Sequence, residues 1–142
     1  MECDHKWSLD ETVMYETPKS VGNRTFVADV PVSFCKNGCG ECCYEQRTLE
    51  MLELAIARKL LDEGALKGES LRFCRKSAGM SREQLIDHIA VCGTTYTVEQ
   101  LKEMEAGRRE ITPEVVDILK IAVAASAAEA TLATGRALPA IR

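Results

Sequence analysis

The sequence predicts an α+β chain, a small N-terminal β-hairpin domain followed by an all-α domain of five helices. Three observations predict it. Phe26, Ala28, Val30, Val32 and Phe34 fall at every second position, on one face of a strand. From Thr48 onward the apolar residues recur at helical spacing, between capping residues and glycines. Five of the seven cysteines, Cys3, Cys35, Cys39, Cys42 and Cys43, precede the first helix. The boundary is placed at Gly64, giving domains over 1–64 and 65–142.

In chain order, Thr12 to Thr17 alternates weakly and is expected as a strand, and Pro18 to Asn23 as a loop. Arg24 to Phe34 is the stronger strand, and Pro31 within it predicts an edge strand or a bulge. Cys35 ends that strand and opens CKNGCGECC, with Asn37-Gly38 as turn formers. One cysteine near the start and a cluster after a hairpin is the layout of a small zinc-finger-like site, in which a metal replaces the core that so short a segment lacks. The usual spacing is C-x2-C at both ends. Cys39 and Cys42 have it. Cys35 and Cys39 are one residue further apart. At the first end Lys6 stands where a second cysteine would fall, and His5 is the nearby substitute.

Thr48 to Glu63 reads as a helix with Leu49, Leu52, Ile56 and Leu60 on one stripe. Ser70 to Ala78 is the next, stopped by Gly79. Ser81 and Gln84 form a capping box ahead of Leu85, Ile86 and Ile89. Gly93-Thr94-Thr95 breaks the pattern. Thr97 and Gln100 form a second box ahead of Leu101 and Met104, and Gly107 is placed to end that helix in the left-handed conformation. Thr112 caps a last helix over 114–134, with Pro113 at its first position. Its second half, AVAASAAEATLATG, is alanine-rich, and the tail beyond Gly135 is expected to be loose. Two short helices across a glycine-containing turn form a helix-turn-helix.

Leu71 to Thr112, through LRFCRKSAGMSREQLIDHIA and LKEMEAGRR, resembles the Cro-type (XRE) helix-turn-helix domain. It departs in a longer turn over Val91 to Tyr96 and in Met104, where an aromatic is common. In this motif the N-terminal residues of the second helix meet base edges in the major groove. Those residues are Thr97, Glu99, Gln100 and Lys102. Glutamine suits adenine, lysine suits guanine, and a glutamate suits a cytosine amine. Ser81 and Arg82 at the first helix, with Arg108 and Arg109 past the second, suit phosphate.

Charge bears on the same question. The formal net charge is −4. Residues 1–50 carry 5 basic and 9 acidic side chains, net −4, and residues 66–112 carry 8 and 7, net +1. DNA binders are usually basic, so modest electrostatic affinity is expected. The acidic half suits a basic protein partner. No leader or membrane span is read from the sequence, so a cytoplasmic chain is expected, with thiols or metal ligands rather than disulfides. No enzyme is expected. Cys42-Cys43 with His5 has no second base or orienting group, and the Cys39/Cys42 pair lacks the βαβ setting of a redox motif.

The two halves together resemble the MqsA-type antitoxin family, through VADVPVSFC, the CGE at Cys39-Gly40-Glu41 and ARKLLDEGALKGESLRFCRK. The resemblance implies a DNA-binding transcriptional regulator, the antitoxin of a toxin–antitoxin pair. It implies a homodimer through the C-terminal half that represses its own operon, with a toxin as protein partner. It carries the family's zinc positions to Cys3, Cys35 and Cys39, and leaves His5 or Cys42 for the place that Lys6 takes. The alternative expectation is a module that neutralises a toxin or other protein without reading DNA.

Overall fold

The computed structural model describes residues 7–17, 24–35, 37, 39, 42–64 and 66–141. A small antiparallel sheet is followed by five helices, as an α+β layout requires. The strands are β1 (Trp7–Glu16), β2 (Val27–Cys35) and β3 (Cys42–Cys43), in the order β1-β2-β3. The helices are α1 (Gln46–Glu63), α2 (Gly68–Ser77), α3 (Arg82–Val91), α4 (Val98–Glu105) and α5 (Pro113–Thr134).

β1 runs well past the short strand expected at Thr12, because β2 offers it a long partner. Trp7 pairs with Cys35 and Glu16 with Val27, with an extra residue in β1 between Ser8 and Glu11. Beyond the strands, Thr17 closes the hairpin. Its carbonyl-side neighbour Phe26 accepts from the Thr17 N–H at 3.0 Å, and the Phe26 N–H donates to Thr17 Oγ1 at 3.0 Å.

The edge placement of β2 is corrected: β2 is the central strand. Its far side pairs with β3 at Ser33 and Phe34 and with Ile141 at Ala28. Pro31 lies between these two pairings, where that side of the ladder is open among the described residues, so a residue without an N–H is tolerated. The inward alternation holds from Phe26 to Val32, all buried, while Phe34 is half-buried. The bridge to Ile141 also corrects the loose tail. Leu138 and Ile141 pack against the core, because these two apolar side chains find cover beside α1.

α1 is the spine. It packs against β2 on one side and against α2 and α5 on the others. That is why it buries Met51, Leu52, Leu54, Ala55, Ile56, Ala57, Leu60 and Leu61, an arc wider than the single expected stripe. The buried side chains form one cluster from Phe26 and Val30 through Leu61, Leu71 and Leu85 to Val123 and Ala130. Fully burying each large apolar side chain contributes roughly 1.5–3 kcal/mol. No helix among the described residues is long and apolar enough to cross a membrane.

The helix ends follow the sequence closely. Ser81 caps α3 and Thr97 caps α4, each in a complete capping box. Gly107, at φ 79°, ends α4 with its N–H on the Met104 carbonyl and the Arg108 N–H on the Glu103 carbonyl. One cap is corrected. Thr112 holds the N-cap position of α5, but its side chain makes no cap bond. Its hydroxyl instead lies 2.8 Å from the hydroxyl of Tyr96, tying the α3–α4 connection to the start of α5. Gly68, at the first turn of α2, faces the end of α4. A Cβ there would overlap the carbonyl oxygen of Glu105, so only glycine permits this approach.

Candidate nucleic-acid interface

The sequence places eight candidate DNA contacts along α3, α4 and the residues just past α4. The fold brings these elements together through a buried seam: Leu85 and Ile89 of α3, Leu101 and Met104 of α4, and Leu71 and Cys74 of α2. The connection between α3 and α4 covers residues 92–97. With the apolar residues of α4 turned inward, Thr97, Glu99 and Lys102 are left exposed and Gln100 half-buried.

Most of the polar candidates already have local work. The Thr97 hydroxyl accepts from the Gln100 N–H at 3.1 Å, and Gln100 Oε1 accepts from the Thr97 N–H at 2.9 Å. The oxygen of Gln100 therefore closes the cap, and its amide donors take no part in that bond. A pair with adenine needs donor and acceptor together, so in this pose Gln100 suits acceptors such as purine N7 or phosphate oxygens. Lys102 Nζ lies 3.6 Å from Glu99 Oε1, and Arg109 Nε donates to Glu103 Oε2 at 3.0 Å. Both pairs are exposed, so each is worth little and gives way readily to a phosphate. Arg108 is exposed and makes no ion pair among the described residues. Ser81 is exposed, with its hydroxyl accepting from the Gln84 N–H at 3.1 Å.

Arg82 is differently placed. Its Nε donates to Glu105 Oε2 at 3.0 Å, while Arg75 donates to Glu105 Oε1 from Nε at 3.3 Å and from Nη2 at 2.9 Å. Arg75 also donates from Nη1 to the Met80 carbonyl at 2.8 Å. Arg75 and Glu105 are both buried. This three-residue network joins α2, α3 and α4, and sequence reasoning missed it. The signal was present: Arg75 follows Leu71 by four residues and Glu105 follows Leu101 by four, so both fall on apolar stripes.

Of the expected metal ligands, Cys35, Cys39 and the backbone of Cys42 lie toward one end of the sheet. Cys35 is buried at the end of β2, opposite Trp7. Cys39 is exposed in the following turn, and β3 returns Cys42 and Cys43 beside Phe34 and Ser33. Cys3 and His5 lie outside the described residues, as does the side chain of Cys42. Cys35 and Cys39 fit a thiolate-held ion in chemistry, although two thiols do not complete a tetrahedral set. Among the described residues no three His, Cys, Asp or Glu side chains converge.

Of the remaining cysteines, Cys74 sits in the core with its Sγ 3.7 Å from the Ala57 carbonyl, and burial pushes its thiol up to about 12. That makes it a packing residue. Cys92 is exposed at the end of α3. Compared with known proteins, the chain has no match among family models, curated proteins or solved structures.

Proposed function

We propose that the chain is a sequence-specific DNA-binding transcriptional regulator with a Cro-type helix-turn-helix. In this reading it is the antitoxin of a type II toxin–antitoxin pair of the MqsA-type, which its sequence resembles, and it represses its own operon. One observation carries the reading. Two short helices, each with a complete capping box, share a buried seam, and the second leaves Thr97, Glu99 and Lys102 on its outer face with the Gln100 amide donors beside them.

In the groove, Lys102 exchanges Glu99 for a base or phosphate acceptor and Gln100 donates to an acceptor at a base edge. Glu99 then meets a cytosine amine. Arg108 and Arg109, past the glycine turn that ends α4, reach the sugar–phosphate backbone. Arg82 orients α3 and α4 through Glu105 and contributes its remaining donors to phosphate at the edge. Two copies supply the paired half-sites of an operator. Zinc on thiolates of Cys35 and Cys39, with Cys3, His5 or Cys42, belongs to the same reading. When bound it would supply folding free energy to the sheet.

A fluorescence-anisotropy titration against the DNA upstream of the gene tests this. Wild type is expected to bind with a preference over scrambled DNA and to weaken steeply as salt rises. Lys102→Ala with Gln100→Glu is expected to lose the preference, each good base contact being worth about 1–3 kcal/mol. Equal, weak binding of both proteins to any sequence overturns the proposal.

A second reading, a module that grips a basic protein without DNA readout, is favoured by the charge. The N-terminal 50 residues carry net −4, and the cations Lys102 and Arg109 are paired with glutamates on the same surface. It predicts co-purification with a protein encoded beside it and no shift of the DNA.

A further inference from the structure

The polar ties of α4 to the other helices gather at its C-terminal end. Met104 is buried there, Glu105 accepts from Arg75 of α2 and Arg82 of α3, and the Glu105 carbonyl abuts Gly68. The candidate base contacts Thr97, Glu99 and Gln100 stand at the other end. There the capping box bonds Thr97 and Gln100 to each other. Such a box fixes where a helix starts, not where it stands on its neighbours. Leu101 roots the middle of the helix, and Val98 is only half-buried.

The connection that leads into this end is open to solvent. Val91 is 88% exposed, and Cys92, Gly93 and Thr95 are exposed as well. It is also longer than the turn of the domain that the sequence resembles, and a longer turn constrains the helix after it less. Tyr96 is the exception within it. Tyr96 stands one residue before the cap of α4, its ring packs half-buried against the core, and its hydroxyl lies 2.8 Å from that of Thr112. Thr112 holds the N-cap position of α5, the helix that Val115, Leu119 and Val123 root in the core. An N-cap threonine ordinarily accepts from an N–H of its own helix. Thr112 makes no such bond, so a local cap is given up for a tie between two elements. A tyrosine suits that span, with an apolar body to bury and a polar tip to bond.

We infer that Tyr96, held by Thr112, is a positioning residue: it sets where the N-terminal end of α4 stands on the domain and thereby determines sequence preference. Base readout depends on donors and acceptors matched to base edges, whereas phosphate contacts carry no sequence information. A shift of this end of α4 therefore removes preference and leaves non-specific binding. The positional part stands on the chain alone, and the effect on preference rests on the proposed DNA-binding function.

Two measurements on the full chain test it. Tyr96→Phe keeps the ring and removes the hydroxyl, and Thr112→Ser keeps the partner hydroxyl. Without DNA, the Gln100 and Leu101 amides, both bonded to Thr97, are expected to exchange hydrogen about tenfold faster in Tyr96→Phe than in wild type. The melt is expected to stay close to wild type, because the freed Thr112 hydroxyl can cap α5. In the anisotropy titration, the preference of Tyr96→Phe for the upstream DNA over scrambled DNA is expected to fall about tenfold. Its affinity for scrambled DNA and the salt dependence of that affinity are expected to hold. Thr112→Ser is expected to match wild type throughout. Unchanged exchange in Tyr96→Phe overturns the positional role whether or not the chain binds DNA. Faster exchange with full preference for the upstream DNA overturns the effect on specificity. A Thr112→Ser that behaves like Tyr96→Phe overturns the part assigned to the hydroxyl pair. A wild type without preference overturns the DNA-binding function and the specificity role with it, while the exchange measurement still decides the position of α4.

Discussion

Glu105 accepts hydrogen bonds from two arginines on two helices, and its carbonyl abuts the first turn of α2 at Gly68. Breaking so buried a network is costly, because it leaves a charge without its partner. Glu105→Ala leaves Arg75 buried with its partner gone, which costs about 3–5 kcal/mol. The Arg75→Met/Glu105→Leu pair is expected to recover a large part of that loss, as chemical denaturation of the three proteins will show. A loss below about 1 kcal/mol for Glu105→Ala would mean water compensates Arg75. Cys74 gives a second test at this scale. A thiol buried and pushed up to about 12 offers almost no thiolate at neutral pH. Mass spectrometry after brief alkylation of the native chain is expected to find Cys92 modified and Cys74 untouched, with Cys74 reacting only once denatured. Early labelling of Cys74 would place the opening of the α1–α2 contact far below global unfolding.

At the scale of the helix, the same side chain serves two ends. Gln100 closes the capping box of α4 and is also the foremost candidate for base contact. Gln100→Ala therefore removes a cap, worth about 1 kcal/mol, together with any DNA contact, and a lost shift would have two explanations. Gln100→Glu separates them. A glutamate three residues after the cap still accepts from the Thr97 N–H and sits favourably at the positive end of the helix. It has no amide donors. The melting temperature is expected to hold or rise while operator affinity falls by about tenfold or more. Retained affinity would remove Gln100 from the interface. Both capping boxes, the glycine ends at Gly79, Gly107 and Gly135, and the inward alternation of β2 were legible in the sequence, because each depends on residues within a few positions of one another. What was not legible depends on distant partners. The hold of Arg82 on Glu105 leaves no local trace in the sequence, and Thr112 reads as a cap until Tyr96 takes its hydroxyl. Pro31 reads as an edge residue, because no local pattern reveals that β3 and Ile141 leave it a gap.

Across the whole molecule, the sheet is joined to the helices by contacts that the acidic N-terminal half does not supply alone. Phe26, Ala28 and Val30 enter the core of the helices, Ile141 bridges back to Ala28, and Arg24 forms a bidentate pair with Glu63 at the end of α1 while its guanidinium lies 4.9 Å above the Phe26 ring. The hydrogen bond from Arg24, aided by its charge and that of Lys59, holds the Glu63 carboxyl below the usual carboxylate range. A carboxyl lowered in the folded state stabilises fully above its unfolded value of about 4.3, and that contribution disappears as pH falls through the folded value. Glu63→Gln removes the charge at every pH. The wild type is thus expected to melt slightly above Glu63→Gln at neutral pH, and the gap to close in acid as Glu63 becomes protonated. Both groups are exposed, so the gap is small and shrinks further in salt. Parallel thermal melts from about pH 7 to about pH 3 measure it. A gap that persists in acid would show that Glu63 acts through packing against Arg24 and not through charge.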